Sequence, residues 1–145
     1  MAKYFVVMVI CLFAPTAFAQ QTGIFGNWSD PTGSVIQIFP CGPDACARII
    51  AISSKAPGRV DANNPNPALR KRPLCGLQIG SSFQLTGPTR AQGGWLYDPQ
   101  SGRTYHGTMT QSGAVLHLRG YIGLSIFGRT ETWTRASNNL SPCQS

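Results

Sequence analysis

Arg70 and Arg72 stand two residues apart at the end of Asp61-Ala62-Asn63-Asn64-Pro65-Asn66-Pro67-Ala68-Leu69-Arg70-Lys71-Arg72-Pro73. Each guanidinium is a planar fork of donors, and a pair of them suits a carboxylate, phosphate or sulfate. In an extended path, residues i and i+2 project to the same side. The spacing therefore predicts that both cations address one anion, with the Asn64 amide beside them. Tyr97 and Tyr105 flank the turn Asp98-Pro99-Gln100-Ser101-Gly102 and offer aromatic edges to an apolar body. Mostly apolar walls with a few placed polar groups are what small-ligand pockets use. The competing expectation is structural: the arginines hydrogen-bond carbonyls of their own loop, or pair with Asp61 or Asp98.

Other chemistries find less material. Asp61-Ala62-Asn63 begins like a calcium loop, but Pro65 stands where a third ligand belongs and Arg72 replaces the bidentate glutamate. No motif calls for a metal or a cofactor. After the leader described below, the only carboxylates are Asp30, Asp44, Asp61, Asp98 and Glu131. Asp30, Asp44 and Asp98 lie in turn sequences, where acceptor side chains are expected. His106 and His117 could act as bases, yet no serine stands in a nucleophile elbow, and the sequence predicts no catalytic residue.

The elements that hold these residues read as strands. The 145-residue chain starts with Lys3, an apolar run over residues 4–15, and Ala17-Phe18-Ala19, which is the pattern of a secretory signal. Cleavage is expected after Ala19, leaving a single domain over 20–145 that is not membrane-spanning and is periplasmic or secreted. Loss of Lys3 lowers the formal net charge from +7 to +6. This balance favours anionic partners, and an exported chain is not expected to meet nucleic acid. Four cysteines remain, and an even number in an exported chain predicts disulfides. Cys41 and Cys46 flank the turn signal Gly42-Pro43-Asp44-Ala45, and opposed hairpin positions have the Cα separation a bridge needs. Cys41 is therefore paired with Cys46, and by elimination Cys75 with Cys143. A zinc site is the weaker alternative, because there is no second close pair and the histidines are distant.

Residues 34–39 and 47–52 are β-branched runs around that turn. Residues 94–97, 103–110, 114–121 and 127–135 follow with Gly-, Pro-, Asn- or Asp-containing turns between most of them. Short strands at this spacing predict an all-β fold, an antiparallel up-and-down meander closing into a small barrel. Residues 53–73 form one long segment. Connections of this length are usually functional or disordered. This one runs into a strand and carries Cys75, so an ordered loop packed on the barrel is expected.

Gly26-Asn27-Trp28 near the start and Thr132-Trp133-Thr134-Arg135 near the end resemble lipocalin-like barrels. There, a basic residue of the last strand covers a tryptophan of the first, and the attraction is cation–π. A wider set of motifs comprises Gly26-x-Trp28, Ile38-Phe39-Pro40-Cys41-Gly42 with Cys46, residues 64–77, and Tyr97-Asp98-Pro99 with Gly102, Thr104 and Tyr105. It is completed by Arg119-Gly120-Tyr121 and Gly128-Arg129-Thr130-x-Thr132-Trp133-x-Arg135. This set resembles the bacterial exported family called domain of unknown function 2147. The resemblance implies an exported β-barrel-like domain with no established biochemical role. The chain departs from the pattern at Ala47, where the family has glycine, and at Cys75, where it more usually has leucine.

These readings converge on an exported, non-enzymatic binding protein. Its ligand is expected to be small and amphipathic or anionic, or an envelope component, held by Asn64, Arg70, Arg72, Tyr97 and Tyr105. The alternative is a protein-interaction module, such as an inhibitor of an envelope or secreted enzyme. A hydrolase of envelope polymers comes third. An open cavity would favour the first, a filled barrel the second, and a histidine–carboxylate cleft the third.

Overall fold

The computed structural model describes residues 23–137 and Cys143. The expected signal peptide over 1–19 lies outside the described residues. Eight strands follow in chain order: β1 (Gly26–Ser29), β2 (Val35–Cys41), β3 (Asp44–Ala51), β4 (Gln78–Gly87), β5 (Arg90–Asp98), β6 (Arg103–Ser112), β7 (Val115–Tyr121) and β8 (Arg129–Arg135). Each pairs antiparallel with the next, and β1 pairs back onto β8 through Trp28↔Arg135 and Ser29↔Thr134, which closes the barrel. The all-β up-and-down barrel predicted from the strand spacing is therefore present. Closure removes the free edges that an open sheet would expose.

Alternation decides what lies inside. Paired residues share a face, so the register carries the inner set around the barrel: Trp28↔Ile36, Ile38↔Ala47, Ala47↔Gly80, Gly80↔Leu96, Met109↔Leu118 and Leu116↔Trp133. All the apolar members of this set are buried. Phe83 is fully buried in the middle. A β-carbon at Gly94 would overlap its ring, and one at Gly107 would stand 3.0 Å from both Phe83 and Leu96. Gly80 and Phe83 are three residues apart, yet both face inward. Register shifts against β3 and a left-handed Ser82 (φ 61°) supply the extra residue, as a bulge does. Gly93 (φ 73°) does the same opposite it in β5. The two bulges bend neighbouring strands around one aromatic ring.

Both expected disulfides are present, with Cα separations of 5.8 Å for Cys41–Cys46 and 5.7 Å for Cys75–Cys143. The register corrects the reason given for the first. Only Gly42 and Pro43 form the turn, so Cys41 stands opposite Asp44 and Cys46 opposite Phe39. The bridge therefore runs diagonally. Asp44 opens β3 instead of lying in the turn.

Because successive strands reverse direction, the connections alternate between two ends. The turns 42–43, 88–89 and 113–114 lie at one end, with the entry to β1 and the exit from β8. Residues 30–34, the long loop 52–77, the turn 99–102 and the loop 122–128 lie at the other. At the first end Ile24 N–H donates to the Pro88 carbonyl at 3.0 Å, and Trp28 Nε1 donates to the Ile24 carbonyl at 2.8 Å. The Arg135 guanidinium lies 3.7 Å from the Trp28 ring centre and donates to the Phe25 and Gly23 carbonyls. These contacts cap the closed end. Among the described residues, no helix is long and apolar enough to cross a membrane.

Candidate functional site at the loop end of the barrel

The long loop is ordered by its own polar groups. Asn66 Oδ1 accepts Ala68 N–H at 3.0 Å, Pro67 begins a single 3₁₀ turn over Pro67–Leu69, and Arg72 N–H closes back onto the Leu69 carbonyl at 3.1 Å. Proline with its fixed φ, preceded by a capping asparagine, is suited to start such a turn. The path through Arg70 is therefore helical, with φ −65° and ψ −20°, and not extended. The same-side argument for the two arginines does not apply. Arg70 Nε donates to the Asn64 carbonyl at 2.9 Å, whereas Arg72 turns to Asp61.

Asp61 is the centre of the loop. It is 0% exposed. Its Oδ1 accepts the Tyr97 hydroxyl at 2.6 Å. Its Oδ2 accepts Asn64 Nδ2 at 2.7 Å and Arg72 through Nε and a terminal nitrogen, each at 2.8 Å. Burial pushes this carboxyl up, but hydrogen bonds from Tyr97, Asn64 and Arg72, with the Arg72 charge, outweigh burial and hold it below the usual carboxylate range. Burial, reinforced by the hydrogen bond to Asp61 and its charge, pushes the Tyr97 phenol up to about 12. Asn63 fastens the same loop to the β5–β6 turn by donating to the Gln100 carbonyl at 2.8 Å. The backbone of Asn63 also lies where a Gly102 side chain would begin.

Three of the five residues singled out for a ligand, Asn64, Arg72 and Tyr97, thus meet at Asp61. Tyr105 does not join them. It pairs with Leu96, so it shares the inner face, while Tyr97, one residue on from Leu96, takes the opposite face. The other acids of the loop end are held locally. Asp30 Oδ1 accepts Thr32 and Ser34 N–H, and Asp98 accepts Gln100 N–H and the Ser101 hydroxyl. His106 lies 6.0 Å from the Tyr121 ring, and His117 is 3.5 Å from the Thr132 hydroxyl. Neither is among the described ion pairs, which consist of Arg72 with Asp61.

The inner face at the loop end carries a feature that the strand pattern alone did not single out. Glu131 pairs with Leu118 and Arg129 with Gly120, so both belong to the lumen side, yet both are exposed. Solvent thus reaches the inner face at this end, here called the mouth. The same face carries Leu96, Leu118, Trp133 and Phe83, all buried, and half-buried Tyr105. Trp133 Nε1 donates to Glu131 Oε2 at 2.9 Å, which fixes the carboxylate at the rim. The signal available in the sequence was Glu131, the sole glutamate, two residues before a tryptophan in a strand. Asp61 could also have been found, as the single acid of 52–77 among five bases.

A sequence-family profile described as "Uncharacterized protein conserved in bacteria (DUF2147)" matches residues 26–135, which run from β1 to β8. No curated protein matches the chain. Among solved structures, the chain is similar to one described as "Protein HP1028 from the human pathogen Helicobacter pylori belongs to the lipocalin family". The TM-score is 0.72 and the identity 25%, over 81% of this chain and 86% of that one.

Proposed function

The chain belongs to the bacterial family of domain of unknown function 2147, and on its lipocalin-like barrel we propose an exported, non-enzymatic binding protein for a small amphipathic molecule. The observation that carries this reading is the mouth. Exposed Glu131 and Arg129 and half-buried Tyr105 stand on the inner face above the buried Leu96, Leu118 and Trp133. Apolar walls with a few fixed polar groups hold such a molecule by its body and orient its head. Phe83 limits the depth, so the site is a cup and not a channel. Arg70, whose side chain is exposed on the neighbouring loop, adds a cation for an anionic head group. Asn64, Arg72 and Tyr97 act indirectly, by holding that loop in place through Asp61. Two disulfides are compatible with export.

The test is titration with lauric acid, read by displacement of anilinonaphthalene sulfonate and by native mass spectrometry. Wild type is expected to bind one molecule saturably. Tyr105→Trp, which narrows the mouth, should weaken binding at least tenfold with melting unchanged. No saturable binding to the wild type, or equal affinity in the variant, overturns the reading. The filled middle of the barrel would then favour the second reading, a protein-interaction module working through its loops.

A further inference from the structure

Among the described residues, six of the seven large apolar side chains that stand exposed lie on loops of one end of the barrel: Val60, Leu69, Ile122, Leu124, Ile126 and Phe127. The last four fall in the short β7–β8 loop and are 59%, 66%, 73% and 75% exposed. Burying such side chains is favourable, so four of them together in water point to a surface that covers them. They sit on a loop that carries no charge from 122 to 128. Side chains this exposed can enter a soft apolar medium and do not themselves form a socket.

The charge around it is positive on balance: Asp30 and Asp98 of this end are held by hydrogen bonds within their turns and Glu131 by Trp133, and the bases outnumber them. The long loop of the same end carries Lys55, Arg59, Arg70, Lys71 and Arg72, five of the twelve basic residues of the chain, against Asp61 alone. Asp61 is already neutralised by Arg72, and Lys55, Arg59, Arg70 and Lys71 are exposed. Arg129 begins β8 directly after the apolar loop and is exposed as well. Apolar side chains at the tip with cations beside them match a bilayer whose hydrocarbon lies beneath anionic head groups.

We propose that the loop end of the barrel docks onto an anionic phospholipid bilayer, with Leu124, Ile126 and Phe127 inserted at the head-group boundary and the basic loop 52–77 against lipid phosphates. Docked in this way, the mouth faces the membrane, so an amphipathic molecule can pass between bilayer and cup without crossing water. The docking itself does not depend on the mouth holding a ligand.

Co-sedimentation of the purified protein with phosphatidylglycerol/phosphatidylcholine vesicles, and with phosphatidylcholine vesicles alone, tests this. No small ligand is added, so the outcome is separate from that of the lauric acid titration. Wild type is expected to pellet with the anionic vesicles, more weakly as salt rises, and to remain in solution with the neutral ones. Leu124→Ser/Phe127→Ser alters exposed positions and should keep the wild-type circular dichroism while losing at least tenfold in vesicle affinity. Lys55→Gln/Lys71→Gln should lose about fivefold per charge. Absence of binding to anionic vesicles at low salt overturns the proposal, as does full binding by either double variant. A dimer abolished by the serine variant, without vesicle binding, also overturns it and assigns the patch to a second copy of the chain.

Discussion

Replacing Asp61 with alanine removes the acceptor on which Tyr97, Asn64 and Arg72 converge within 2.6–2.8 Å. A hydrogen bond to a charged group contributes about 1.5–3 kcal/mol, but these donors share one carboxylate, so their contributions do not add. Part of the gain is offset by the cost of burying the charge. Arg72 is one-third exposed and can turn to water, and Asn64 keeps its contact with the Tyr97 hydroxyl at 3.2 Å. The net loss is about 3 kcal/mol, borne by the loop more than by the strands. Asn is a milder replacement. Its oxygen can take the Oδ2 position, and its amide can donate to the Tyr97 hydroxyl, so the geometry survives and the charge does not; the loss is about 1.5 kcal/mol. The assay is trypsin, because Lys55, Arg59, Arg70 and Lys71 place cleavable bonds in the loop. Where cleavage follows the open population, 3 kcal/mol means roughly hundredfold faster cutting and 1.5 kcal/mol roughly tenfold. An Asp61→Ala protein cut at the wild-type rate, with an unchanged melting temperature, refutes the claim that Asp61 holds the loop.

The same cluster predicts a two-sided pH dependence. Asp61 is depressed in the folded state, so its contribution is complete above the unfolded carboxylate range and is lost as pH falls through the lower folded value. Tyr97 is raised to about 12, so its contribution is complete below about 10 and is lost as pH climbs toward 12. Melting followed from pH 2 to 12 should show both declines, and Asp61→Asn should flatten the acid one. Gly94→Ala places a methyl group in the Phe83 ring at a position with no positive φ. It should cost about 1–3 kcal/mol by overpacking, measured by urea unfolding, and Phe83→Leu in the same chain should recover part of it. Arg135→Ala removes the cation 3.7 Å from Trp28 and the donors to Gly23 and Phe25. A loss of about 2 kcal/mol is expected in the same assay, with a red shift of tryptophan emission as the indole meets water.

The class of fold is legible in the chain alone, because a strand announces itself locally. Residues 34–39 are a β-branched run and 103–110 alternate, glycine and proline punctuate the chain between strands, and such local patterns need no distant partner. The sequence also paired the cysteines, since four residues and one hairpin leave little choice. What it could not settle depends on register and on contacts between distant segments. The diagonal of Cys41–Cys46 follows from a two-residue turn that the cysteines do not encode. Tyr97 and Tyr105 look alike beside one turn, yet they fall on opposite faces because pairing with Leu96 decides which of them enters the lumen. The path of Arg70 and Arg72 follows from a 3₁₀ turn capped by Asn66, and the direction of Arg72 from a buried carboxylate eleven residues away. The mouth is the furthest from legible. Glu131 and Arg129 become lumen residues only when β8 pairs with β7 and β1 to close the ring. Solvent reaches them because they stand at the start of β8, at the loop end of that ring.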